Sequence, residues 1–238
     1  MKKLKRILTM VSAVLLAVVF SVSALFLTSE QVFAAGDNGA DRNNEAFNDA
    51  AEIWKAISES VKTLPEELMN SELLVAGDSV SDWLLFDGAL TGQAGDREKR
   101  LKALSEYVST CYAEKGGLDR VKATEWHRIA LTVMALGGNP TAFGTDRDGQ
   151  KINLIADGTY DWKQTDNPGS QGVNAWIFAL NTLDAGAFSI PEGAKYSREE
   201  IIKAILNNQE NGAFGLAKGA ENVDITAMAL QALSRYRT

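Results

Sequence analysis

Apolar residues recur along most of this chain at three- and four-residue intervals, the spacing that lines one face of an α-helix. The pattern predicts helices over about 45–61, 64–75, 80–90, 95–112, 124–137, 150–156, 172–185, 197–208 and 223–236. Start signals support several of them. Thr63-Leu64-Pro65-Glu66 places a capping residue before Pro at the first helical position, and Ser197-Arg198-Glu199-Glu200 has the form of a capping box. Gly116-Gly117 and Gly137-Gly138-Asn139-Pro140 each close a periodic run. No two segments read as a strand pair, so the expected class is all-α.

The helices repeat. Three of them superpose on an Ala-Leu step: Ala130-Leu131, Ala179-Leu180 and Ala229-Leu230. A polar residue stands five positions before each alanine: Glu125, Asn174 and Asp224. A weaker fourth copy places Asp82 in that role, with Asp87 where the alanine would be. The copies lie 43, 49 and 50 residues apart. More polar helices, at 95–112 and 197–208, alternate with them. Helix pairs at such a period stack into a solenoid or close into a ring, with the small, apolar helices inside. Glycine-rich loops join the elements, including Asp157-Gly158-Thr159-Tyr160 and Gly212-Ala213-Phe214-Gly215.

The first 34 residues change the composition. Lys2, Lys3, Lys5 and Arg6 precede a mostly apolar run from Ile7 to Leu27. Val32 and Ala34 sit at −3 and −1 of a cleavage point before Ala35. This is the pattern of a secretory signal peptide, with cleavage between Ala34 and Ala35, and the expected location is secreted or cell-surface. Residues 35–44 are rich in Gly, Asn and Asp and read as a flexible lead-in, so the repeat domain is expected over 45–238. The whole chain carries a net charge of −7; setting aside the leader's four basic residues and Glu30 leaves −10 over 204 residues. That balance argues against nucleic-acid binding by bulk charge. Membrane contact is expected only through the leader. One Cys and one His exclude a disulfide framework and multi-His metal sites. Cys111 reads as a buried apolar residue and His127 as a helix-surface or satisfied core histidine.

Gln209-Glu210-Asn211-Gly212-Ala213-Phe214-Gly215 resembles the Gln…Gly-x-Trp/Phe loop of the squalene–hopene cyclase and protein prenyltransferase superfamily. Asn222-Val223-Asp224-Ile225-Thr226-Ala227, running on into Met228-Ala229-Leu230-Gln231-Ala232-Leu233, resembles the inner helix that follows such a loop. Thr124 to Pro140, Ile152-Asn153-Leu154, Gln171 to Asp184 and Arg198 to Ile202 are similar to exported bacterial prenyltransferase/squalene-oxidase repeat proteins. The resemblance covers roughly residues 75–238 and implies an α/α toroid, in which inner helices ring a central cavity. A full ring has about a dozen helices. The eight or nine counted here imply an incomplete ring, whether a truncated toroid, a short form or the first piece of a longer protein.

The resemblance also supplies candidate chemistries. Cyclases use Asp-x-Asp-Asp-Thr-Ala, whose neighbouring carboxyls keep the central acid protonated for transfer to an isoprenoid double bond. Asp224 matches the proton-donating position and is the one catalytic candidate, but Asn222 and Ile225 stand where the flanking carboxylates belong. Prenyltransferases hold zinc with Asp, Cys and His; Cys111 and His127 lie in no matching motif, and no metal or cofactor is expected. Cobalamin carriers use a similar toroid to bind a ligand without chemistry. On that reading Asp82, Glu125, Trp126, Asn174, Trp176 and Asp224 line one end of the inner helices as ligand-binding residues, with Trp83 and Phe178 nearby. The alternative for the same residues is that the aromatics fill the core and the polar groups cap helices or occupy first turns. No Gly-x-Ser-x-Gly elbow or phosphate-cradling loop is present, and Asp146-Arg147-Asp148-Gly149 lacks the full calcium-loop pattern. The expected function is an exported, non-catalytic toroid repeat module that binds a hydrophobic small molecule or a cell-surface partner through the inner-helix cavity. The alternatives are a terpenoid cyclase or prenyltransferase-like enzyme, a corrinoid carrier, and a structural spacer.

Overall fold

The computed structural model describes residues 66–236, together with the isolated helical positions Glu52 and Lys55. The leader, the lead-in and most of the predicted helix over 45–61 lie outside the described residues. The described chain is mostly helical: α1 (Glu66–Asn70), α2 (Ser79–Leu90), α3 (Arg97–Lys115), α4 (Thr124–Ala135), α5 (Leu154–Gly158), α6 (Asn174–Ala185), α7 (Arg198–Leu206) and α8 (Val223–Leu233).

Local chemistry sets the boundaries. Asp78 caps α2 by accepting from the Ser81 N–H, and Asp96 caps α3 through Lys99. Ser197 and Glu200 complete the expected capping box of α7. At the other end of α3, Gly116 adopts the left-handed conformation at φ 74°. The helix predicted over 150–156 begins only at Leu154, because the Asn153 carboxamide accepts from the Ile155 and Ala156 N–H groups and makes position 153 the cap. Asp157 and Gly158, expected in a loop, complete that helix. The helix predicted over 64–75 stops at Asn70. Beyond it, Arg100 of α3 donates to the carbonyls of Met69, Ser71 and Leu74, so a side chain replaces the helical hydrogen bonds there.

One expectation is corrected. Gln209–Glu210 (β1) and Ala213–Phe214 (β2) form a two-stranded antiparallel hairpin. Its turn is Asn211-Gly212, both at positive φ (50° and 82°), the sequence that favours a two-residue hairpin turn. The strands are too short for period-two alternation to register.

The three Ala-Leu helices and the weaker copy α2 form a row. α2 packs on α4, α4 on α6, and α6 on α8. Helix α5 lies against α4, and α7 lies against α6. The polar helices α3 and α7 turn one apolar stripe inward: Leu104, Val108 and Cys111 from α3, and Ile201 and Ile205 from α7, all buried. α4 is buried on every side from Trp126 to Val133. The toroid's closure is not seen in this row of four.

A second repeated feature lies in the loops. Phe214 is buried, its carbonyl accepts from the Asn222 N–H at 2.9 Å, and Asn222 then caps α8. Ala142-Phe143-Gly144 repeats the arrangement: the buried Phe143 donates its N–H to the Ile152 carbonyl at 2.8 Å, and Asn153 caps α5. A single antiparallel bridge closes each loop, Thr145 with Lys151 and Gly215 with Glu221.

Close approach depends on glycine at one core position. A Cβ on Gly158 would lie 2.5 Å from the Trp126 Cβ and 3.4 Å from His127 Cδ2. Trp126 is fully buried and held edge-on by Trp162 at 5.2 Å, so neither ring can yield. Gly158→Ala is therefore expected to destabilise the fold by roughly 1–3 kcal/mol. Chemical denaturation followed by Trp fluorescence checks this; an unchanged midpoint would refute it.

Candidate functional site

The recurrent polar positions are first-turn residues of the row helices, and none is the cap. Their environments differ. Asp82 is fully buried on α2, with Oδ2 accepting from Arg128 Nε at 3.0 Å and Oδ1 accepting from the Gly77 N–H at 3.1 Å. Glu125 accepts from Arg128 Nη2 at 2.7 Å, and the same nitrogen donates to the Gly77 carbonyl at 3.0 Å. One guanidinium thus joins two of the four positions. Asn174 is half-buried, and its Oδ1 has no hydrogen-bond partner among the described residues. Asp224 is exposed on α8.

Electrostatics in the Arg128 cluster are a contest between burial and pairing. Burial pushes Asp82 up to about 6, against the lowering effect of the Arg128 charge and hydrogen bond. Burial acts to lower the Arg128 pKa, but the Glu125 hydrogen bond and the Asp82 and Glu125 charges outweigh it and hold the guanidinium charged. At neutral pH Asp82 is ionised against the charged Arg128. Gly77 fits because its φ is 82° and the Tyr107 ring occupies the space a side chain would need.

The two tryptophans expected in the ligand site are both buried. Trp126 donates from Nε1 to the Tyr112 hydroxyl at 2.7 Å, and that hydroxyl donates to Asp157 Oδ2 at 2.7 Å. Trp176 packs edge-on against Tyr196 at 5.1 Å. Both rings occupy the protein core.

Two aromatics stay half-buried, Trp83 of α2 and Phe178 of α6. With the half-buried Met134 of α4 they pack over the buried Phe86 and Leu131, and Phe178 also touches the main core. Trp83 meets Phe86 edge-on at 5.6 Å and Phe178 in a tilted arrangement at 5.9 Å. α2 and α6 both pack on α4, and the Trp83–Phe178 contact joins them beside Leu131.

Two buried polar groups lie among the row helices. Asp87 is 2% exposed, its Oδ1 has no partner among the described residues, and burial pushes its carboxyl up to about 8. It occupies the position held by the fully buried Ala130, Ala179 and Ala229 in the other row helices. His127 donates from Nε2 to the Gly158 carbonyl at 2.7 Å, while Nδ1 is without a partner among the described residues. Burial pushes its pKa down to about 4, the Gly158 contact opposing, so the imidazole is neutral. The expectation of a satisfied or surface histidine is met only by half.

Arg128, Gly77 and Asp87 were not among the sequence candidates. Arg128 carries a signal nonetheless, because a charged residue inside the apolar stripe of a central helix demands acidic partners. Among the described residues, no group of three or more His, Cys, Asp and Glu is placed to hold a metal, and no helix is long and apolar enough to cross a membrane. Comparison with family profiles, curated proteins and solved structures finds no match to this chain.

Two outcomes follow. Arg128→Met strands Asp82 as an unpaired buried carboxylate and should cost about 3–5 kcal/mol, with much of the loss recovered in Asp82→Asn/Arg128→Met. Urea denaturation of the three variants tests this; equal losses in the single and double variants would refute it. For Asp87, the folded pKa lies above the unfolded value, so the folded state binds more protons and stability falls as pH rises from about 4 to 8. Asp87→Ala should raise stability at pH 8 by roughly 2 kcal/mol or more and by less at pH 5. A stabilisation independent of pH would contradict that assignment.

Proposed function

We propose that the chain is an exported, non-catalytic helical-repeat module that binds an apolar ligand on the concave side of its inner helices. The observation that carries this reading is the half-buried set of Trp83, Met134 and Phe178, lying over the buried Phe86 and Leu131 and contributed by three successive row helices. Apolar and aromatic surface left partly open, with polar groups at its margin, suits a hydrophobic small molecule. The Arg128 cluster holds α2 and α4 together and so fixes two of the helices that supply the surface. The family resemblance of the loops and inner helices extends the proposal to a toroid, of which this row would be an arc, and the leader extends it to the secreted or surface compartment.

Catalysis is weakly supported by the residues present. The proton-donor candidate Asp224 is exposed, and its neighbours Asn222 and Ile225 supply no carboxylate. Asn222 instead caps α8 by accepting from the Asp224 and Ile225 N–H groups.

The test is a fluorescence titration of the purified chain with farnesol, squalene and cyanocobalamin, beside incubations with farnesyl and geranylgeranyl diphosphates with and without zinc. A saturable change in Trp emission with a hydrophobic ligand, lost in Trp83→Ala and retained in Trp176→Phe, is the expected result, without turnover. Product formation abolished by Asp224→Asn would overturn the non-catalytic reading in favour of a cyclase. Cyanocobalamin alone binding would select the corrinoid carrier, and no binding to any of these probes would count against the ligand-binding proposal.

A further inference from the structure

Five carboxylates lie on the four row helices, Asp82, Asp87, Glu125, Asp184 and Asp224, against one arginine, Arg128. Asp82 and Glu125 pair with Arg128, and Asp184 pairs with Arg198 of α7. Asp224 is exposed to water. Asp87 alone is both buried and without a cation at salt-bridge distance among the described residues. A buried polar atom without a partner is costly and calls for an explanation. Stability does not supply one, because the matching position is a fully buried alanine in α4, α6 and α8.

Asp87 follows Trp83 by four residues, so it lies one turn further along the same face of α2. Thr182 stands in the same relation to Phe178 on α6. It is fully buried, and its Oγ1 also has no partner among the described residues. The rings of Trp83 and Phe178 meet at 5.9 Å. Each of the two helices thus carries an unpartnered buried polar group one turn from the place where its aromatic touches the other. Leu90 and Ala135, which pack against the same aromatics, are half-buried, so water reaches this stretch of the row.

We infer that the ligand of this apolar patch is an organic cation, an ammonium group on a hydrocarbon body, with Asp87 as its counter-ion and the Trp83 and Phe178 rings against the charge. The inference rests on the ligand-binding role proposed above for the same patch. Burial keeps the Asp87 carboxyl neutral while it is alone. A bound ammonium brings the positive charge that this carboxyl lacks, and the Thr182 hydroxyl accepts a further N–H. An anionic head group has no such match. Arg128 is committed to Asp82, Glu125 and the Gly77 carbonyl, and Arg97 of α3 to the carbonyls of Ala89 and Ala135.

Calorimetric titration of the purified chain near neutral pH with farnesylamine, farnesol and farnesyl diphosphate tests this, because the three share one hydrocarbon body. Each is used below its aggregation concentration. Farnesylamine should bind roughly tenfold more tightly than farnesol, and farnesyl diphosphate most weakly. Asp87→Asn removes the charge at unchanged size. It should abolish the advantage of the amine, leave the affinity for farnesol unchanged and preserve the far-UV circular dichroism spectrum. Thr182→Val should weaken the amine roughly fivefold. Farnesol binding as tightly as the amine, or the diphosphate binding most tightly, would overturn the inference and leave the ligand-binding reading in place. An amine preference that survives Asp87→Asn would do the same. No binding of any of the three would overturn both.

Discussion

A cation in the interior of a helix row is the constraint around which this structure is organised. Arg128 lies on α4, the helix buried on every side, where an unpaired guanidinium would cost several kcal/mol in desolvation. It is satisfied by Asp82 from α2, Glu125 from its own first turn and the Gly77 carbonyl from the lead-in to α2. Each partner has a position it must hold. Sliding α2 by one turn along α4 would take Asp82 away from Nε and expose the pair to the full cost of burial. Apolar packing alone is more permissive, because leucines interdigitate in several registers. The ion cluster therefore specifies the α2–α4 register more than it adds net stability. Thr132 reinforces the same register one turn later, donating to the Asp82 carbonyl at 3.2 Å.

The cluster also explains why one repeated position holds different residues along the row. At α2 and α4 the position is acidic because Arg128 lies between the two helices. At α6 it is the half-buried Asn174, a neutral amide that is cheaper to bury partly than a charge. At α8 it is Asp224, which is exposed and has no burial cost. A single geometric position is tuned to its local dielectric and partners. Recurrence of polarity in the sequence thus reflects the repeat, while the chemical roles have diverged.

Much of the architecture was legible in the pattern of residues. The Ala-Leu steps identified α4, α6 and α8 as one class, the polar position at Asp82 added α2 as a weaker copy, and these helices pack in sequence order. Ser197 to Glu200 announced its capping box. The all-α class held, apart from the hairpin at Asn211-Gly212, whose strands are two residues each. Cys111 lies in the core, as its isolation implied. The site was less legible. Trp126 and Trp176 were attractive because they sit beside the polar positions, but a helical residue's direction depends on what packs around it. α4 has neighbours on all sides, so Trp126 has no outward face available. Trp83 and Phe178 stay half-buried where α2 and α6 meet beside Leu131. That meeting depends on how three helices pack together, which no periodicity within one helix reports. Helix α5 was misplaced for a similar reason, since one Asn side chain sets its start.

The buried titratable groups give the row an asymmetric response to pH. Asp82 and Asp87 have folded pKa values above the ordinary carboxylate range, so each favours the folded state as pH falls, Asp82 between about 6 and 4 and Asp87 between about 8 and 4. His127 acts in the opposite sense. Its folded pKa of about 4 lies below the unfolded value of about 6.5, so its contribution is present above 6.5 and lost as pH falls toward 4. On the acid side the histidine and the carboxyls oppose one another, and their effects partly cancel. On the alkaline side, between about 6.5 and 8, Asp87 acts without that opposition. The two groups lie on adjacent row helices, and both leave an atom without a partner, Oδ1 of Asp87 and Nδ1 of His127. Neutral Asp87 avoids an unpaired charge in the core, and neutral His127 avoids a second cation near Arg128. The row is thus suited to surroundings near neutral pH, in which Arg128 is charged, Asp82 is ionised beside it, and Asp87 and His127 are neutral.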